Sequence, residues 1–173
     1  MLRTVQALAP PAVEAIRYAR LAELPHFNPD DDAEPLHAAA QELRGEIRIA
    51  DAMLCSTPEY AGALPGSFKN LLDWTIGDDQ PGSIYRKPVA WINTSPRGAA
   101  AAHDSLRAVL GYAHADIIEA ACAHIPVTAA MLDSAGLIAD GPTRDRIAEV
   151  LTVLTERVRD GLGTEIDPVG ETG

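Results

Sequence analysis

Apolar residues recur at helical spacing at Leu2, Val5 and Leu8, which predicts a helix ending at the Pro10-Pro11 break. Val13 to Tyr18 then alternates like a short strand. After Leu24-Pro25 and an Asn28-Pro29-Asp30 turn, Leu36, Leu43 and Ile47 fall on one side of a helix from about Pro35 to Ile49. Ala52 to Ser56 is short and largely apolar, the mark of a buried strand. It runs into a Pro- and Gly-rich segment, Pro58 to Gly66, beyond which Phe68, Leu71 and Leu72 set the apolar face of another helix. Pro65 fits that helix's first turn, where a missing N–H costs nothing.

A polar loop, Gly77 to Gly82, precedes a second buried-strand candidate, Val89-Ala90-Trp91-Ile92. Thr94 to Gly98 follows as a loop, then an alanine-rich helix to about Gly111. Ile117-Ile118 and Val127 mark the last extended region, and Arg144 to Val158 closes the pattern as an amphipathic helix carrying Ile147, Val150, Leu151 and Leu154. Strands alternating with helices predict an α/β fold with a parallel sheet covered on both faces. A chain of 173 residues suits one domain, here residues 1–160, with a loose Gly- and Pro-containing tail at 161–173.

Charge narrows the partners. The chain carries 14 Lys and Arg against 25 Asp and Glu, a net charge of -11, with no basic run. That argues against nucleic acid and against a membrane surface, both of which are bound through clustered cations. No window approaches the ~18 consecutive apolar residues of a membrane span, and the N-terminus lacks a signal pattern, so a cytoplasmic location is expected. Cys55 and Cys122 lie in apolar surroundings without Cys-x-x-Cys spacing, and read as buried thiols in a reducing compartment rather than a disulfide. His103 and His114 have no second ligand at a persuasive spacing and read as surface or satisfied histidines. Glu34-x-x-His37 has no partner motif, so no metal is assigned.

Open parallel sheets bind ligands outside the carboxyl ends of their strands. Two loops suit that position, Pro58 to Gly66 and Thr94 to Gly98. In the first, Gly62 lets backbone approach a flat ligand and Tyr60 offers an aromatic face. On these generic features alone the plainer reading, a strand-to-helix turn with a packed tyrosine, is preferred. Lys69, Asn70 and Asp73 read as organisers of their own helix and its neighbours.

The stretch Thr57-Pro58-Glu59-Tyr60-Ala61-Gly62-Ala63-Leu64-Pro65-Gly66-Ser67-Phe68-Lys69-Asn70-Leu71-Leu72-Asp73-Trp74 changes that balance. It closely resembles the signature of the NADPH-dependent FMN reductases, approximately T-P-E-Y-N-G-S-I-P-G-x-L-K-N-A-I-D-W. Leu24-Pro25 with Phe27 to Asp30 resembles the family's connector after its second strand, and Ala50-Asp51-Ala52 the entry to its third. The similarity runs to about Val158.

The resemblance implies a flavodoxin-like three-layer sandwich that binds FMN and takes NADPH or NADH as co-substrate. It puts Pro58, Glu59, Tyr60, Ala61 and Gly62 along the isoalloxazine, mostly through backbone, with Ala61 where the family usually has Asn. The loop holding Ser95, Arg97 and Gly98 corresponds to a second one that approaches the ring. Arg97 then meets the phosphate of the nicotinamide cofactor or stabilises charge on reduced flavin, the alternative being a solvated loop arginine. Family members commonly form homodimers or homotetramers.

The same resemblance implies a first strand and a G-S-x-R-x-x-S-x-N loop that cradles the FMN phosphate, and Met1-Leu2-Arg3 already corresponds to the helix after it. The expectation is that an upstream in-frame segment encodes the strand. Without it the sheet has an unfilled slot beside strand three and FMN is held weakly.

The function implied is hydride transfer from NAD(P)H through FMN to a small acceptor: a quinone, flavin, azo compound or metal oxyanion. No catalytic side chain is required. The alternative is an inactive flavodoxin-like binding or scaffold domain.

Overall fold

The computed structural model describes residues 1–164. Its centre is β2, Pro88–Asn93. To one side β2 pairs in parallel with β1, Met53–Cys55, in the register Met53 to Val89, Leu54 to Ala90 and Cys55 to Trp91. To the other it pairs in parallel with β3, Asp116–Ile117, and then with β4, Ala123–His124. A single 3-10 turn, Glu119–Ala121, separates β3 from β4.

Alternate residues of β2 serve two cores. Val89 and Trp91 join Cys55 and Met53 against three helices: α2 (Ala38–Ile49), α3 (Gly66–Ile76) and α4 (Ala100–Tyr112). Ala90 and Ile92 join Leu54 against α1 (Leu2–Leu8) and α5 (Gly141–Thr164). A strand covered on both faces must be apolar throughout, and Val89 to Ile92 is buried throughout. The result is the α/β sandwich that the strand and helix alternation predicts.

Val13 to Tyr18 departs from expectation. It makes no ladder with any described strand, and its backbone is tied instead by local bonds: the Val13 N–H donates to Pro10 O at 2.8 Å and Gln6 Nε2 to Ala15 O at 3.0 Å. Alternation permits a strand, but a ladder partner is needed to make one, and β1 forms the edge of the described sheet. Two helix starts also differ. α2 begins at Ala38 because His37 Nδ1 accepts the Ala39 N–H at 3.2 Å. α5 begins at Gly141 because Asp140 accepts both the Thr143 N–H (3.0 Å) and its hydroxyl (2.6 Å), which hold that carboxyl below its usual range. The same helix runs on through residues 161–164, and the rest of the expected tail lies outside the described residues.

The signature helix α3 is fastened to the connector before α2. Asn70 donates from Nδ2 to Pro25 O at 2.9 Å and accepts the Phe27 N–H at 2.8 Å. Trp74, fully buried, donates its indole N–H to the same Pro25 carbonyl, and Phe27 meets its ring edge-on at 5.1 Å. Behind its C-terminus Arg44 donates to Trp74 O at 2.8 Å and pairs with Asp32 at 2.7 Å, both side chains nearly out of solvent. Gly77 is required there by close approach, since a Cβ would overlap Asp32 Oδ2 and lie 3.2 Å from the Arg44 guanidinium.

Candidate active site

β1 and β2 run in parallel, so the chains leaving Cys55 and Asn93 emerge side by side at the carboxyl edge of the sheet. Ser56 ties the two strand ends by donating its hydroxyl to Ile92 O at 3.0 Å. Pro58 to Gly62 and Ser95 to Gly98 therefore stand at one end of the fold.

The first loop is a tight hairpin. Tyr60 and Ala63 exchange two backbone bonds of 3.1 Å each, and the central residues Ala61 and Gly62 have φ of 51° and 71°. Positive φ at both centres is the type I′ pattern, whose favoured pair is Asn-Gly. Ala61 thus bears the steric cost of a left-handed backbone that Asn tolerates better. A Cβ at Gly62 would meet nothing within 4 Å, so backbone conformation and not crowding demands glycine there. Tyr60 leaves the hairpin 65% exposed.

In the second loop the Gly98 N–H donates to Ser95 O at 3.2 Å and the Arg97 N–H to Ser95 Oγ at 3.3 Å. Asn93, 6% exposed, holds both ends of the turn: its Oδ1 accepts the Ser95 N–H at 3.0 Å, and its Nδ2 donates to the Gly98 carbonyl. Gly98 and Ala99 have φ of 98° and 48°. His124 Nε2 donates to Ser95 O at 2.7 Å, and the Val127 N–H to Thr94 O at 3.0 Å, so the region expected to be extended near Val127 supports this loop from below. Arg97 is exposed at the tip.

Ala99 stands at the N-cap of α4 with no side chain to offer, and the first turn of α4 contains no acidic residue. Glu59 supplies what is missing. Its Oε2 accepts the Ala102 N–H at 3.1 Å, so the first loop caps the helix that follows the second. Glu59 as a cap is not apparent in the sequence.

His103 corrects an expectation. It is neither at the surface nor fully satisfied: it is buried, donates from Nδ1 to Ala99 O at 2.8 Å, and leaves Nε2 without a partner beside Trp91. His114 is exposed and meets Tyr85 edge-on at 5.8 Å. Burial pushes the Cys55 thiol up to about 12, with the neighbouring Cys122 adding to the rise, and burial raises the Cys122 thiol as well. Both thiols are free. A groove of about 710 Å³, bounded by Ile76, Asp79, Tyr85 and Tyr112, opens at the other end of the sheet, where α3 and α4 finish. It contains none of the loop residues, and the parallel strands direct chemistry to the loop end instead. Among the described residues no helix is long and apolar enough to cross a membrane.

A parallel sheet flanked by helices on both faces, with two turn-closed loops at the carboxyl ends of adjacent strands, defines a flavodoxin-like α/β protein. The architecture superposes on FerB, a flavoenzyme NAD(P)H:(acceptor) oxidoreductase of Paracoccus denitrificans, with a TM-score of 0.80 at 28% identity, covering 92% of this chain and 87% of that one. The family model for NADPH-dependent FMN reductase matches residues 1–129. An NAD(P)H-dependent FMN reductase of Pseudomonas aeruginosa is 31% identical over 161 residues, which is 91% of this chain and 85% of the relative. A quinone reductase of Pseudomonas putida is 30% identical over 140 residues, 80% and 75% of the two chains. The chain belongs to the NADPH-dependent FMN reductase family, a family of oxidoreductases that use FMN and NAD(P)H.

Proposed function

We propose that the protein passes hydride from NAD(P)H, by way of FMN held between the two loops, to a small acceptor of the quinone class. The observation that carries this reading is the pairing of an exposed Tyr60 ring with two glycines, Gly62 and Gly98, whose open sides would accept a Cβ without contact within 4 Å. Free aromatic surface beside uncrowded backbone fits a flat heteroaromatic ring.

FMN supplies the hydride chemistry when bound. The chain's part is to hold and shield the ring. In this reading the backbone of Pro58 to Gly62 would hold the ring together with Ser95 and Gly98, and Tyr60 would offer it an aromatic surface. Arg97, exposed at the loop tip, would meet the anionic end of the nicotinamide cofactor or the negative charge of the reduced ring. A quinone acceptor follows from the named relatives, and assembly into a homodimer or homotetramer from the resemblance.

Absorption spectroscopy tests the reading. Protein reconstituted with FMN should show flavin bands that bleach anaerobically with NADPH and return on adding benzoquinone. A protein that takes up no FMN defeats it and favours a binding or scaffold domain.

A further inference from the structure

Ala99 has φ 48° and ψ 42° at the point where α4 begins, a left-handed backbone on a residue with a Cβ. Such a residue is strained and persists only where its surroundings over-determine it. Left to itself this start of α4 is doubly unfavourable, because the helix also lacks a cap of its own.

Two side chains bracket it. On the N-terminal side Asn93 Nδ2 grips the Gly98 carbonyl, while Oδ1 of the same amide fixes Ser95. On the C-terminal side Glu59 Oε2 grips the Ala102 N–H. Asn93 comes from the end of β2 and Glu59 from the loop after β1, so the bracket also fixes the distance between the loops. Asn93 is buried with donor and acceptor both matched, which makes it costly to disturb.

We propose that Glu59 and Asn93 are a pair of positioning residues that preform the gap between the two loops, holding Ser95 to Ala99 in the one conformation that accepts the flavin ring. Neither acts on the reacting atoms. They remove the ordering cost that a loose second loop would impose at binding. The inference rests on the flavin reading above.

The test uses the full-length protein titrated with FMN, followed by steady-state kinetics at saturating FMN. E59A and N93A should each weaken FMN binding by about tenfold, the scale of a lost helix cap. E59Q keeps an acceptor oxygen and should bind within about twofold of the parent. E59A combined with N93A should cost less than the product of the single effects, because both act on one loop. A99G relieves the left-handed strain and should restore part of the affinity lost in E59A. At saturating FMN the variants should recover the parent's kcat and KM for NAD(P)H, because the bound ring restores the order of the loop, whereas a generally destabilised fold would keep the apparent kcat low however much FMN is added. E59A and N93A that bind FMN like the parent overturn the inference while leaving the flavin reading intact, as does E59Q that fails to rescue. Parent protein that takes up no FMN overturns the flavin reading and this inference with it.

Discussion

Trp74 and Pro25 are joined by a 2.9 Å bond from the indole N–H to the carbonyl, and Asn70 donates to the same oxygen. Through these two residues the signature helix holds a connector more than forty positions earlier in the chain. Replacing Asn70 by Ala strips partners from the Phe27 N–H and half of those from Pro25 O. We expect N70A to lower stability by about 1 kcal/mol, the scale of a partly buried donor left without its partner. A urea midpoint equal to that of the parent would contradict it.

The buried pair Arg44–Asp32 should be less forgiving. Removing one partner leaves the other charge uncompensated, a loss of about 3–5 kcal/mol for D32A. G77A should lower the melting temperature too, because its Cβ displaces Asp32 from Arg44. If D32A and G77A act through the same pair, their combined effect will fall short of the sum, and additive thermal shifts would count against that route.

Ala61 invites the opposite outcome. Asn suits the first centre of a type I′ turn far better than Ala does, so A61N should stabilise the protein by about 1 kcal/mol. β-branched A61V should destabilise it. Calorimetry that ranks valine above asparagine would refute the turn assignment.

Cys55 should resist alkylation at pH 8, because only thiolate attacks and burial holds its pKa near 12. The folded value lies above the ordinary thiol value of about 9, so the stabilising contribution of the neutral thiol is complete below pH 9. It is lost as pH rises from there toward 12, because the unfolded chain ionises first. C55A should remove that part of the alkaline slope, which for one proton is at most about 1.4 kcal/mol per pH unit. Equal slopes for C55A and the parent, measured by chemical unfolding between pH 8 and 10, would sink the assignment.

The elements legible in the sequence were those with a local signal. Val89 to Ile92 announces a doubly buried strand, and Leu43 with Ile47 a helix face, because burial follows period. Asp140 and Thr143 were an available signal for the start of α5, three positions apart in the manner of a cap. The position of Pro58 to Gly62 and Ser95 to Gly98 at the carboxyl ends of adjacent strands is legible from the strand pattern together with the resemblance. Glu59 was not recognisable as a cap, since its partner Ala102 lies 43 residues away with nothing in the local pattern to connect them. Asn93 carried a weak hint, an Asn before a Thr-Ser-Pro turn, whose meaning depends on the loop being folded back onto it. Val13 to Tyr18 misled because alternation reports a surface that could be half buried and says nothing about a ladder partner.

The two-sided burial of β2 also governs how the loop end can move. A slip of one residue would send Trp91 into the space now filled by Ala90 and Ile92, and Ala90 into the tryptophan's place. Small displacements along the strand axis therefore have no intermediate resting position. Asn93 stays aligned with its turn or the sheet comes apart, so whatever adjustment a ligand requires must come from the loops, over an anchor that behaves as a digital stop.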